Sequence, residues 1–216
     1  MENLANAWPI ATACPGGMEC ADPVFAHDFR RPRASNPAPD WAKAGGSRRK
    51  ESALFTLARE TPADWWEVEA LYDLCFAPGR EALSSYRLRD DVSPVDGLSL
   101  TARDPEGILG GAIRFWPVHV GRHDALLLGP VAVHPTRQGE GLGGLLIQHS
   151  LELARDQGWS RVMLVGDAPY YSRFGFEKLD GVEMPPPTNP ERVLGYDLVP
   201  NAWEGISGKV TRWSKG

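Results

Sequence analysis

Four glycines, Gly139, Gly141, Gly143 and Gly144, fall within six residues directly ahead of a long apolar-periodic segment. Each glycine gives up roughly 1 kcal/mol against alanine in a helix interior, so helicity alone does not put them there. A turn without Cβ atoms lets a ligand come close to the backbone. The first amides of a following helix have no partners of their own, and with the helix dipole they favour an anion such as a phosphate or pyrophosphate.

The flanking residues define the unit. Ala125 to Val133 is a continuous apolar run of the length of a buried strand, and His134-Pro135 ends it, since proline has no N–H for a ladder. From Leu142 onward, Leu145, Leu146, Ile147, Leu151, Leu153 and Ala154 share one helical face, with Gln148, Glu152 and Arg155 opposite. Gly158 stops this helix, and Arg161 to Val165 reads as a second short buried strand. Strand, glycine turn, helix and strand make a βαβ unit with its anion site at the first turn of the helix.

Gly139, Gly141 and Gly144 also satisfy G-x-G-x-x-G, the dinucleotide fingerprint, with Asp167 placed like its ribose-binding acid. In that pattern the first glycine closely follows the strand, whereas His134 to Gln138 intervene here. A P-loop is excluded because no Gly-Lys-Ser/Thr follows. Gln138-Gly139-Glu140-Gly141-Leu142-Gly143 has the form Q/R-x-x-G-x-G/A, which resembles the acetyl-CoA pyrophosphate loop of the GCN5-related N-acetyltransferases. Tyr170-Tyr171-Ser172-Arg173-Phe174-Gly175-Phe176 is similar to that superfamily's Y-x-x-x-G-F segment, and LGPVAVHP, QGEGLG and GDAPYYSRFGF together resemble the predicted-acetyltransferase subgroup typified by the YhbS proteins.

The resemblance implies an α/β (α+β) fold: a mixed central sheet, mostly antiparallel with a splayed parallel strand pair, flanked by helices. It implies acetyl-CoA as cosubstrate, no metal, and an amine acceptor, and leaves room for a homodimer. Its cofactor-binding residues map onto Val131, Ala132 and Val133 of the strand and onto Gln138, Gly139, Glu140, Gly141, Leu142, Gly143 and Gly144. Pro130 inside the strand marks a bulge or an ordinary distortion; a bulge would part this strand from Arg161 to Val165 and let the Val131 N–H polarise the thioester carbonyl. Tyr171, four residues before Gly175, takes the position of the general acid, with Tyr170 as substitute. Many relatives use a Glu or Asp on the central strand as the base, but Leu127 to Pro130 offers none, which leaves His134, Asp167 or water. That gap keeps open a non-catalytic acyl-CoA sensor as the alternative to an N-acetyltransferase.

Elsewhere the chain divides into an extension without sustained period, expected to be disordered (1–50), the acetyltransferase domain (51–200) and a tail (201–216). A strand from Leu54 to Arg59, a capped helix from Thr61 to Pro78-Gly79, a second helix from Arg80 to Arg89, and an antiparallel pair over 98–102 and 108–120 precede the βαβ unit. Pro117 predicts an irregularity in the second of that pair. Trp65, Trp66, Phe76 and Tyr86 are candidates for the acceptor wall, core packing being the plainer reading. A formal charge of −5 disfavours nucleic acid; no apolar run is long enough to cross a bilayer. Three cysteines, Cys14, Cys20 and Cys75, fit a reducing cytoplasm, and none lies at a nucleophile position in the motifs.

Overall fold

Apolar residues spaced for strands from Leu100 to Val133, broken only by turn chemistry at Asp104-Pro105-Glu106-Gly107 and Gly121, build the middle of the molecule. The computed structural model describes residues 55–76 and 79–214. The expectations for residues 1–50, including Cys14 and Cys20, lie outside them. β1 (Thr56–Arg59), β2 (Leu100–Arg103), β3 (Leu109–Val120) and β4 (His123–Val133) pair antiparallel in sequence order. β5 (Arg161–Val165) joins β4 in parallel, and β8 (Val193–Asp197) and β6 (Glu177–Lys178) continue beyond it. The mixed, mostly antiparallel sheet expected from the sequence is thus present.

Helices cover both faces. α3 (Leu142–Asp156) packs Leu142, Leu146, Ile147 and Leu151 against Ile113, Phe115, Leu126 and Leu128. α1 (Trp65–Phe76) lays Val68, Leu71 and Tyr72 on Ala112 and Ala132 of the other face. Ahead of α1, Thr61 donates its N–H (2.8 Å) and hydroxyl (2.7 Å) to Asp64, and these bonds hold the Asp64 carboxyl below the usual carboxylate range. A carboxyl depressed by folding stabilises above its unfolded pKa and stops doing so as pH falls through its folded value. Thr61→Ala is therefore expected to lower Tm at pH 7, with the difference shrinking below about pH 4; thermal melts at both pH values check this.

Three expectations are corrected. The region Arg80 to Arg89 is not one helix: a 3-10 turn (Arg80–Ala82) and a single turn, α2 (Ser84–Arg87), flank an extended Leu83. The bend lets buried Arg80 reach back to Glu69 and Asp73 on α1 and forward to the Tyr86 hydroxyl. The segment after Asn201 is not merely a tail, because β9 (Gly208–Arg212) pairs with Val118–Val120 of β3 and with β7 (Val182–Glu183). Pro117 stays in register opposite Leu126. It falls between the stretch of β3 paired with β2, which ends at Ile113, and the stretch paired with β9, which starts at Val118, so its missing N–H interrupts no ladder.

Candidate active site

Gly141 is the N-cap of α3 at φ +78°, a conformation natural to glycine. No side chain caps the helix there, and no acceptor among the described residues is hydrogen-bonded to the amides of Gly141, Leu142, Gly143 or Gly144. The amide row expected from the glycine run is present and open. Leu142 anchors the row by burying its side chain in the α3 core, whereas Gln138, Gly139 and Glu140 are exposed. Behind the loop, Arg137 donates to the buried Asp104 carboxylate (2.5 Å) and lies 3.9 Å from Glu140. Asp104 also accepts from the N–H groups of Glu106 (3.1 Å) and Ile108 (2.8 Å), fastening the loop to the β2–β3 turn.

The strand leading to this loop carries the bulge that Pro130 suggested. Ile113 pairs with Val131 and Phe115 with Leu128, so β4 holds one extra residue opposite Arg114. Pairing with β5 stops at Leu127–Met163. Past that point Leu164 and Val165 keep only β8, and Val131 to Val133 keep only β3. The His134 N–H donates to Gly110 O at 2.8 Å. Alternation along the strand then turns the Ala132 N–H toward β3 and those of Val131 and Val133 into the gap. Of the three strand residues expected to bind cofactor, only the two valines point backbone donors that way.

Tyr171 lies just beyond the end of β5. α4 (Ala168–Tyr171) follows β5, and the Tyr171 ring lies edge-on to Tyr170 (centroids 5.0 Å apart) and to Phe176 (5.8 Å). A Cβ on Gly166 would stand 2.3 Å from Tyr171 Cε2, so only glycine lets the ring sit there. The hydroxyl has no hydrogen-bond partner among the described residues, and burial pushes its pKa above the ordinary tyrosine range, the neighbouring Tyr170 adding to this. A phenol in that state keeps its proton at neutral pH. Gly166→Ala is expected to lower turnover by at least about tenfold, through a displaced donor, with CoA affinity unchanged by calorimetry. Tyr170 is placed differently: its hydroxyl would lie 2.9 Å from a Cβ on Gly143, and the Arg173 guanidinium stacks on its ring (4.4 Å). It buttresses the first turn of α3.

On the α1 face the structure brings in residues that the sequence did not single out as functional. The Tyr72 hydroxyl donates to Pro130 O (3.4 Å) and Cys75 Sγ to Val133 O (3.4 Å), so α1 steadies the bulge from below. Both were legible only as apolar positions of a helix stripe. Arg114, opposite the bulge and 4 % exposed, donates to both Glu60 oxygens (2.8 and 2.5 Å) and to Glu69 (2.5 Å), and Glu69 continues to Arg80. Of the proposed acceptor-wall aromatics, Trp66 is 82 % exposed and turns away from the core. Trp65 stacks under Arg114 (4.9 Å), Phe76 joins the α1 cluster, and Tyr86 lies between Arg80 and Arg89. His134 caps the turn after β4, its Nδ1 accepting from the Thr136 N–H (3.3 Å), and Asp167 is exposed ahead of α4. Among the described residues no group of three or more His, Cys, Asp or Glu is arranged to hold a metal ion, and no helix is long and apolar enough to cross a membrane.

Comparison with known proteins agrees with this geometry. The family model for an acetyltransferase (GNAT) domain matches residues 96–178. The uncharacterized N-acetyltransferase YhbS of Escherichia coli K12 is 36% identical over 120 residues, which cover 55% of this chain and 71% of that protein. The crystal structure of E. coli YhbS in complex with CoA superposes with a TM-score of 0.65 at 27% identity, covering 84% of this chain and 94% of that one. A GNAT family acetyltransferase from Brucella melitensis in complex with acetyl-CoA gives 0.56 at 28% identity, covering 75% and 97%. With its glycine-led helix and its parted parallel strands, the chain belongs to the GNAT family of N-acetyltransferases.

Proposed function

We propose that this chain transfers the acetyl group of acetyl-CoA directly to a primary amine within a ternary complex. The observation that carries the reading is the uncapped amide row of Gly141 to Gly144, open at the end of a strand pair that has just separated. The row suits a pyrophosphate, and the gap between β4 and β5 suits an extended pantetheine arm whose amides pair with Val131 and Val133. That CoA and acetyl-CoA occupy two structural relatives supports the same assignment. Three cysteines without a pairing pattern favour a cytoplasmic setting.

The chemistry follows from the groups lining the gap. The amine lone pair attacks the thioester carbonyl carbon, and the carbonyl π electrons move onto oxygen, where the Val131 N–H stabilises the oxyanion. Collapse re-forms the carbonyl and breaks the C–S bond. The departing thiolate takes the Tyr171 proton, and the proton lost by the attacking nitrogen leaves through water. Glu60, Glu69 and Asp73, the carboxylates of the α1 face network, are each engaged by a guanidinium, which makes water the favoured route. Gly143→Val tests the assignment: its Cβ would crowd the Tyr170 hydroxyl at 2.9 Å and its methyls the amide row. Calorimetry should show CoA affinity lowered at least about tenfold, a loss of roughly 1.4 kcal/mol. An unchanged affinity would remove the pyrophosphate from this loop.

A further inference from the structure

Arg89 follows α2 on the same face of the sheet as the bulge, and nothing in the reaction above uses it. Its guanidinium is sandwiched between two aromatic rings, 4.0 Å from the Tyr86 centroid and 4.5 Å from Trp116. Nε and Nη1 are shut off from solvent with no hydrogen-bond partner, and no carboxylate among the described residues forms an ion pair with it. Arg80 and Arg114, on the same face, are each held by two carboxylates. A half-buried cation with two sealed nitrogens and no anion beside it is costly to keep, and stacking on two rings offsets only part of that. Burial pushes its pKa down to about 10, so it remains charged at neutral pH.

Its position is equally specific. Trp116 pairs with Leu127, and Leu127 with Met163, the last rung before β4 and β5 separate. The side chains of all three pack in one cluster with Leu88. The guanidinium thus lies beneath the mouth of the cleft, on the face where Tyr72 reaches Pro130. Nη2 is its one nitrogen not buried without a partner, and hydrogen bonding with the Tyr86 side chain favours the charge.

Building on the acetyl-transfer reading above, we infer that Arg89 receives a carboxylate of the acceptor, so that the amine acetylated here belongs to an amino-acid-like molecule. One guanidinium with a single charge balances a monoanion, whereas a phosphate dianion would call for further donors that this slot lacks.

The test compares wild type with Arg89→Met, which fills the slot without charge, and with Arg89→Gln should the first variant fold poorly. Calorimetry with CoA comes first and is expected to agree within about twofold across the proteins; wild type failing to bind CoA would overturn the acetyl-transfer reading and not the anion seat. Turnover is then measured on amino acids paired with their decarboxylated amines, lysine with cadaverine and phenylalanine with phenethylamine. Wild type should favour the carboxylate partner by at least about tenfold in kcat/KM, the range of a charge-assisted hydrogen bond, and Arg89→Met should erase the preference. Equal use of both partners by wild type, or a preference surviving in the variant, overturns the proposal. If no pair turns over, melting in sodium propionate against sodium chloride at equal ionic strength decides. A rise of about 2–4 °C in wild type that is absent from the variant sustains the anion seat, and equal shifts in the two proteins refute it.

Discussion

Tyr171→Phe lowers kcat by about 10²–10⁴-fold, the usual worth of a positioned proton donor, while the Kd for CoA stays within about twofold of wild type. The substitution removes one oxygen that holds no hydrogen bond among the described residues and leaves intact the ring that packs on Gly166, Tyr170 and Phe176. Thermal stability should accordingly not fall, which separates this variant from a merely misfolded one. The pH profile adds a second reading. Because burial raises the phenol's pKa, the protonated, active form extends beyond the ordinary tyrosine value of about 10; activity should not decline on that account between pH 7 and 10. A variant retaining full kcat would transfer the acid role to water or to Tyr170, and Tyr170→Phe, expected to act chiefly on CoA affinity through Gly143, would tell which.

The route to that tyrosine was legible because its signals are local. A glycine run before an apolar helix, a proline in a buried strand and a Tyr-x-x-x-Gly-Phe segment each constrain a few consecutive residues, and the structure places them on α3, on the β4 bulge and on α4. What the sequence left unread depends on contacts between distant segments. Glu60 and Arg114 are 54 positions apart and their pairing has no local signature. The break in the Arg80 to Arg89 region arises because Arg80 has partners on α1 that outweigh helix propensity. β9 went unseen for a different reason: Val210 is its one buried residue, too little apolar alternation to mark a strand. Tyr72 and Cys75 were placed on the right face of α1, yet nothing in a helical stripe says that a hydroxyl and a thiol will meet the carbonyls of a bulged strand.

That distant pairing sets the largest stability effect. Arg114 is 4 % exposed and Glu60 sits beside it at 9 %. Burial works against the Arg114 charge, but the hydrogen bonds it donates to Glu60 and Glu69 outweigh it and leave the pKa above the ordinary arginine value. Removing one member of such a pair strands the other's charge in the interior, at a cost of about 3–5 kcal/mol. For a domain of this size each kcal/mol is worth roughly 2–4 °C, so Arg114→Met should lower Tm by about 6–20 °C in thermal melts. Replacing the cluster together, Arg114→Met with Glu60→Leu and Glu69→Leu, should recover much of the loss, because no carboxylate then faces Arg114's place unpaired, although Arg80 keeps only Asp73. Turnover separates stability from chemistry. Arg114 stands opposite the extra residue of β4, so if the network also holds the bulge in shape, the triple variant will be stable yet slow, its Val131 N–H no longer aimed at the oxyanion. Full activity in the stable triple variant would instead leave the bulge to Tyr72, Cys75 and the proline itself.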